Sequence, residues 1–130
     1  MYDRKHLYID GAWEAPKIEG KIEVVNPANE EIIGFVPVAR ESDLDNAVQA
    51  ARKAFPSWSR TSVEERADIL NRLSASIKDN SEKLATIITS EVGTPIEYSR
   101  MAMVGTPRVV SRSYAKILEG YTWEEEIRNS

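Results

Sequence analysis

The sequence has no cysteine and a single histidine, His6. Without thiols there is no disulfide framework, no thiolate nucleophile and no cysteine-ligated zinc. His6 lies near the chain start, and no Ser or Thr has an evident imidazole partner to activate it. The glycines form neither a Gly-x-Gly-x-x-Gly nor a Walker pattern, so nothing in the sequence cradles phosphate. No apolar run approaches the roughly 18 residues of a membrane span. The opening Met1-Tyr2-Asp3-Arg4-Lys5-His6 leads into no secretory apolar region. A membrane is therefore not an expected partner, and the cytoplasm is the expected location. Basic residues are also short: 17 Lys and Arg against 21 Asp and Glu give a net charge of -4, which argues against nucleic acid.

What remains is 130 residues, 42% hydrophobic and 29% charged, enough for one modest domain or a piece of one. Asp10-Gly11 between Leu7-Tyr8-Ile9 and Ala12-Trp13 predicts a β-hairpin with a two-residue type I′ turn. Ile22 to Val25 reads as a strand closed by the Asn26-Pro27 turn, and Ile32 to Val38 as the next, with Gly34 marking a bulge. The first third is thus expected to be a small antiparallel meander.

Helical periodicity follows. Ser42 with Asp45 has capping-box spacing, Leu44, Ala47, Val48, Ala51 and Phe55 share a face, and Pro56 is expected to stop the helix. Ser62 with Glu65 is a stronger capping box, ahead of the stripe Val63, Leu70, Leu73 and Ile77. Ser81 is the expected cap of a third helix with Leu84, Ile87 and Ile88 inward. Gly93 suits a left-handed cap, and Pro95 the first turn of a fourth helix. Val110, Tyr114, Ile117 and Leu118 form that helix's stripe, and Pro107 predicts a kink or break near Val104-Gly105-Thr106. The carboxylate pairs, such as Glu64-Glu65, and the run Glu124-Glu125-Glu126 read as solvated surface. The residues alone describe no enzyme.

Six segments in register over residues 7–120 resemble the N-terminal region of the NAD(P)-dependent aldehyde dehydrogenase superfamily. They are Leu7 to Trp13; Val24-Val25-Asn26-Pro27-Ala28 with Glu31-Ile32-Ile33 and Val36-Pro37; Asp45 to Ser59; Glu65-Arg66-Ala67 leading to Leu73; Glu91-Val92-Gly93-Thr94-Pro95; and Arg112-Ser113-Tyr114-Ala115. The fifth is similar to the family's Glu-x-Gly-Lys-Pro, with Thr94 in place of lysine.

The resemblance implies an α/β parent with a Rossmann-like fold, of which this chain would be a β-meander followed by about four helices. Residues 1–41 would be the hairpin and meander, 42–119 the helical part of the cofactor-binding domain, and 120–130 the start of the next segment. The parent would oxidise an aldehyde to a carboxylic acid with NAD or NADP: a Cys thiolate attacks the aldehyde, hydride passes to the nicotinamide, and a Glu-activated water cleaves the thioester. The chain ends before the family's Gly-rich loop, catalytic Glu and catalytic Cys, so the 130 residues are expected to be inactive and to bind no cofactor. Two family roles map onto residues here. Val25, through its carbonyl, and Glu91 match ligands of a monovalent cation, the alternative being that Glu91 caps or salt-bridges its helix end. Met103 and Thr106 match positions facing the substrate tunnel, the alternative being ordinary core or surface. Uncovered apolar helix faces imply a homo-oligomer. The competing functional reading is a stand-alone, non-catalytic helical module that binds partners.

Overall fold

The computed structural model describes residues 2–3, 5–17 and 19–127. Two small sheets open the chain. Strands β2 (Leu7–Ile9) and β3 (Ala12–Glu14) pair antiparallel around Asp10 and Gly11, whose φ angles of 52° and 80° are those of a type I′ turn. Tyr8 lies opposite Trp13 with ring centroids 5.0 Å apart, a cross-strand aromatic pair that fixes the register. The second sheet has the order β1 (Tyr2–Asp3), β5 (Ile32–Pro37), β4 (Lys21–Val25). β4 and β5 are antiparallel, as expected, while β1 adds parallel to β5. The strand region is therefore two hairpins in separate sheets. Val24 pairs with Gly34 and Val25 with Ile32, so the irregularity falls at Ile33, next to the expected Gly34.

Helix α1 (Glu41–Trp58) begins differently from expectation. The carboxylate of Asp43, not the Ser42–Asp45 pair, closes its N-terminus by accepting from the Arg40 N–H at 2.9 Å. Asp43 is consequently buried, and its charge faces the positive end of the helix. Pro56 does not stop the helix either. A proline in the last turn forfeits one backbone bond, and Ser59 N–H still donates to the Phe55 carbonyl at 2.8 Å. Helix α2 (Val63–Asp79) has the expected capping box: Glu65 N–H donates to Ser62 Oγ at 3.1 Å, and Ser62 N–H to Glu65 Oε2 at 2.8 Å. In helix α3 (Ser81–Val92) the N-cap position falls to Asn80 rather than Ser81, with no side-chain cap bond. Asn80 both ends α2 and starts α3, its side-chain amide donating to the Ser76 carbonyl at 2.9 Å.

After Gly93 the chain is helical from Ile96 to Leu118 in three parts: α4 (Ile96–Tyr98), a π-helical segment Ser99–Val104, and α5 (Gly105–Leu118). Pro95 precedes this rod at the N-cap. The expected disturbance before Pro107 is real but is not a break. Gly105 N–H reaches back to Arg100 O, a five-residue step, and the widened turn delivers Pro107 into the first turn of α5.

The main helix–helix pairing is α2 with α5. Buried Ser74 on α2 bridges it, donating its hydroxyl to the Arg108 carbonyl of α5 at 3.0 Å, and Ala115 of α5 is buried. The expected stripe Val110, Tyr114 and Ile117 faces solvent instead, because the close approach of the two helices selects the small-residue face. On α1 the expected apolar face is likewise open, with Leu44 63% and Phe55 64% exposed. The accessible surface of 10333 Å² exceeds the ~6,900 Å² that a folded monomer of this length shows. Much apolar surface awaits a cover.

Candidate functional site: the joint between two helices

The joint Glu91-Val92-Gly93-Thr94-Pro95 is where the strand region meets the helices. Gly93 has φ 77° and ψ 11°, and its N–H donates to the Thr89 carbonyl at 2.9 Å, a left-handed helix cap. Glycine is required twice over, since a Cβ here would stand 2.8 Å from Pro27 Cγ. Pro27 belongs to the turn between β4 and β5. That turn is held by Ala28 N–H on Asn26 Oδ1 at 3.0 Å and by Asn26 N–H on the Glu31 carbonyl at 2.9 Å. The Asn26-Pro27 turn therefore rests directly on the cap of α3.

Behind the cap lies a chain of three hydroxyls. Ser99, wholly buried, bonds through Oγ to Thr89 Oγ1 at 2.9 Å and to Thr94 Oγ1 at 2.7 Å. Thr89 thus joins α3 to the π-helical segment, and Thr94, the departure from the family's lysine, ties the loop after Gly93 to the same buried hydroxyl. A hydroxyl in that place satisfies the buried Ser99, which a buried ammonium would do only at a desolvation cost. On the outer side Arg100 clamps the same two elements. Its Nε and Nη2 donate to the Glu82 carboxylate at 2.9–3.1 Å, and Nη1 to Glu97 Oε1 at 2.6 Å. The hydrogen bond and charge of Glu82 raise the Arg100 pKa further above its usual value.

The expected site residues fall around this joint. Val25 ends β4, just before the Asn26-Pro27 turn, and Glu91 lies in the last turn of α3, just before the cap. The Pro27–Gly93 contact brings their two segments together. Both residues are exposed, and among the described residues the Glu91 carboxylate has no hydrogen-bond or ion-pair partner. No group of three or more His, Cys, Asp or Glu that could hold a metal occurs among the described residues. A carbonyl and one carboxylate suit a weakly bound monovalent ion better than a transition metal. Met103 lies in the π-helical segment, half-exposed, and Thr106 in the first turn of α5. Thr106 lines a surface cleft of about 480 Å³ with Met101, Arg100 and Val110; Met103 is not among its lining residues. Met101, in the π-helical segment, shares that cleft with Thr106 of α5. Sequence reasoning had no cue for the Thr89–Ser99–Thr94 chain, whose members lie five to ten residues apart.

The aldehyde dehydrogenase family model matches residues 13–129. This chain belongs to the aldehyde dehydrogenase family. A 3-succinoylsemialdehyde-pyridine dehydrogenase from Pseudomonas sp is 36% identical over 98% of the chain, which spans 27% of that relative. Aminoaldehyde dehydrogenase 2 of Solanum lycopersicum is 41% identical over 70% of the chain and 18% of its own length. The structure of aldehyde dehydrogenase C from Pseudomonas syringae, solved with NAD+ and octanal, superposes with a TM-score of 0.91 at 37% identity. That match covers 95% of this chain and 26% of the other. The chain thus spans about a quarter of the family members it matches, and it contains no cysteine to act as the family's nucleophile.

Proposed function

We propose that the chain is the N-terminal, non-catalytic part of an enzyme that oxidises an aldehyde to a carboxylic acid with NAD+ or NADP+. The family match over residues 13–129, at about a quarter of the relatives' length, carries this reading. Relatives solved with NAD+ support a nicotinamide cofactor for the whole protein. In it, these residues act as scaffold and tunnel wall. Val25 and Glu91 would offer a carbonyl and a carboxylate to a monovalent cation, which would pin the β4–β5 turn to the α3 cap. Met103 and Thr106 would face the aldehyde's path, and the open faces of α1 and α5 would pack against the rest of the protein or a second subunit. The stand-alone binding module is not favoured, because the matches run through nearly the whole chain and point to one family of enzymes.

Sequencing the source DNA beyond codon 130 tests the proposal. A reading frame that continues into a Gly-rich loop and a downstream cysteine supports it. An immediate stop codon would sink it for this product. The 130-residue chain itself should show no aldehyde-dependent reduction of NAD+ or NADP+.

A further inference from the structure

Away from the joint, α2 and α5 enclose a second concavity, a groove of about 750 Å³. Lys78 enters it from α2, and Arg108, Arg112 and Lys116 from α5, with Asn71 and Ser113 as neutral donors. None of the described residues lining it is acidic, although the chain as a whole carries a net charge of -4. The described ion pairs all lie elsewhere: Lys53 with Asp10, Arg72 with Asp68, and Arg100 with Glu82 and Glu97. Four cations therefore share one groove without a carboxylate among the described residues.

Their arrangement is specific. Arg108, Arg112 and Lys116 recur every four residues on one face of α5, rising ~6 Å per step. Like charges at that spacing disfavour a helix, so the row is an unrelieved cost until an anion settles on it. The Ser74–Arg108 hydrogen bond holds the two walls of the groove in register. Guanidinium forks match tetrahedral oxyanions in two-pronged fashion, and ammonium groups at the edges add point charge. The volume is that of a small-molecule site.

We propose that the α2–α5 groove binds a small polyanion carrying two or more phosphoryl groups. Arg108 and Arg112 grip one phosphoryl group, while Lys116 and Lys78 neutralise the next. This site does not depend on the dehydrogenase reading.

Titrating the chain with tripolyphosphate, followed by calorimetry and by amide chemical shifts, tests it. The expected result is saturable one-to-one binding, with shifts confined to α2 and α5. Arg112→Gln and Lys78→Gln should each weaken binding by about tenfold, the loss of one charge-assisted contact. Arg52→Gln, on the far helix α1, should leave it unchanged, and circular dichroism of all three variants should match the parent chain. Binding that fails to saturate, or that falls equally in Arg52→Gln, overturns the proposal as general charge attraction. Inorganic phosphate binding as tightly as tripolyphosphate would show a single-anion site. A hexaglutamate peptide binding more tightly at the same residues would make the groove a protein-docking surface instead.

Discussion

The joint depends on single atoms. Gly93→Ala adds a Cβ at a left-handed φ of 77° and within 2.8 Å of Pro27 Cγ, so two penalties act together. The backbone part alone is worth ~1–2 kcal/mol. In urea denaturation, Gly93→Ala should lose that and more, and a Pro27→Ala background should recover only the steric share. Ser99→Ala removes the hydroxyl shared by Thr89 and Thr94 and should cost ~1–3 kcal/mol. A loss below a few tenths would mean that the threonines find each other or water instead. Protonation acts at this scale too. The Glu64 carboxylate is held below its usual 4.5 by its own backbone N–H, followed by the Ser62 side chain. Its folded value is depressed, so its contribution is present above pH 4.5 and disappears as pH falls through the lower folded value. The wild-type chain should lose stability across that acid window faster than Glu64→Gln. Equal slopes would remove Glu64 from the account.

Among the elements, the capping box of α2 and the π-helical segment make opposite demands. Ser62→Ala leaves the Glu65 N–H without its acceptor and should cost ~1 kcal/mol, read as a lower thermal midpoint and fraying of α2 in hydrogen exchange. The π-helical segment is the better probe of how sequence dictates shape. Pro107 cannot donate a backbone bond, and Ser99–Val104 widens just ahead of it. Pro107→Ala restores the donor and should allow Ser99–Val104 to tighten toward regular helix. Carbon chemical shifts and amide protection across 99–107 would report it. If the wide turn persists unchanged, the Thr89–Ser99–Thr94 hydroxyls hold it, not the proline.

At the scale of the whole molecule, exposed apolar surface dominates. Leu44 and Phe55 on α1, and Val110, Tyr114 and Ile117 on α5, all face outward. Light scattering of the isolated chain should therefore show dimers or larger species at micromolar concentration, and Leu44→Gln with Phe55→Gln should shift the population toward monomer. A monodisperse monomer that binds no apolar dye would show that these faces are quiet by themselves.

The sequence alone determined the features set by local rules. Asp10-Gly11 gave the type I′ hairpin, Ser62 and Glu65 the α2 cap, and Gly93 the end of α3, because each acts through bonds only a few residues apart. The spaced segments from Leu7 to Ala115 also carried the family. Tertiary structure decided which faces are buried. Periodicity marked the apolar stripes of α1 and α5, which lie open, while the α2–α5 contact is bridged by the small, buried Ser74. It also decided what meets what: Pro27 against Gly93, Thr94 on Ser99, and Lys78 in one groove with Arg112. Periodicity names the residues on a helix face. It cannot say which face the neighbouring helix will take.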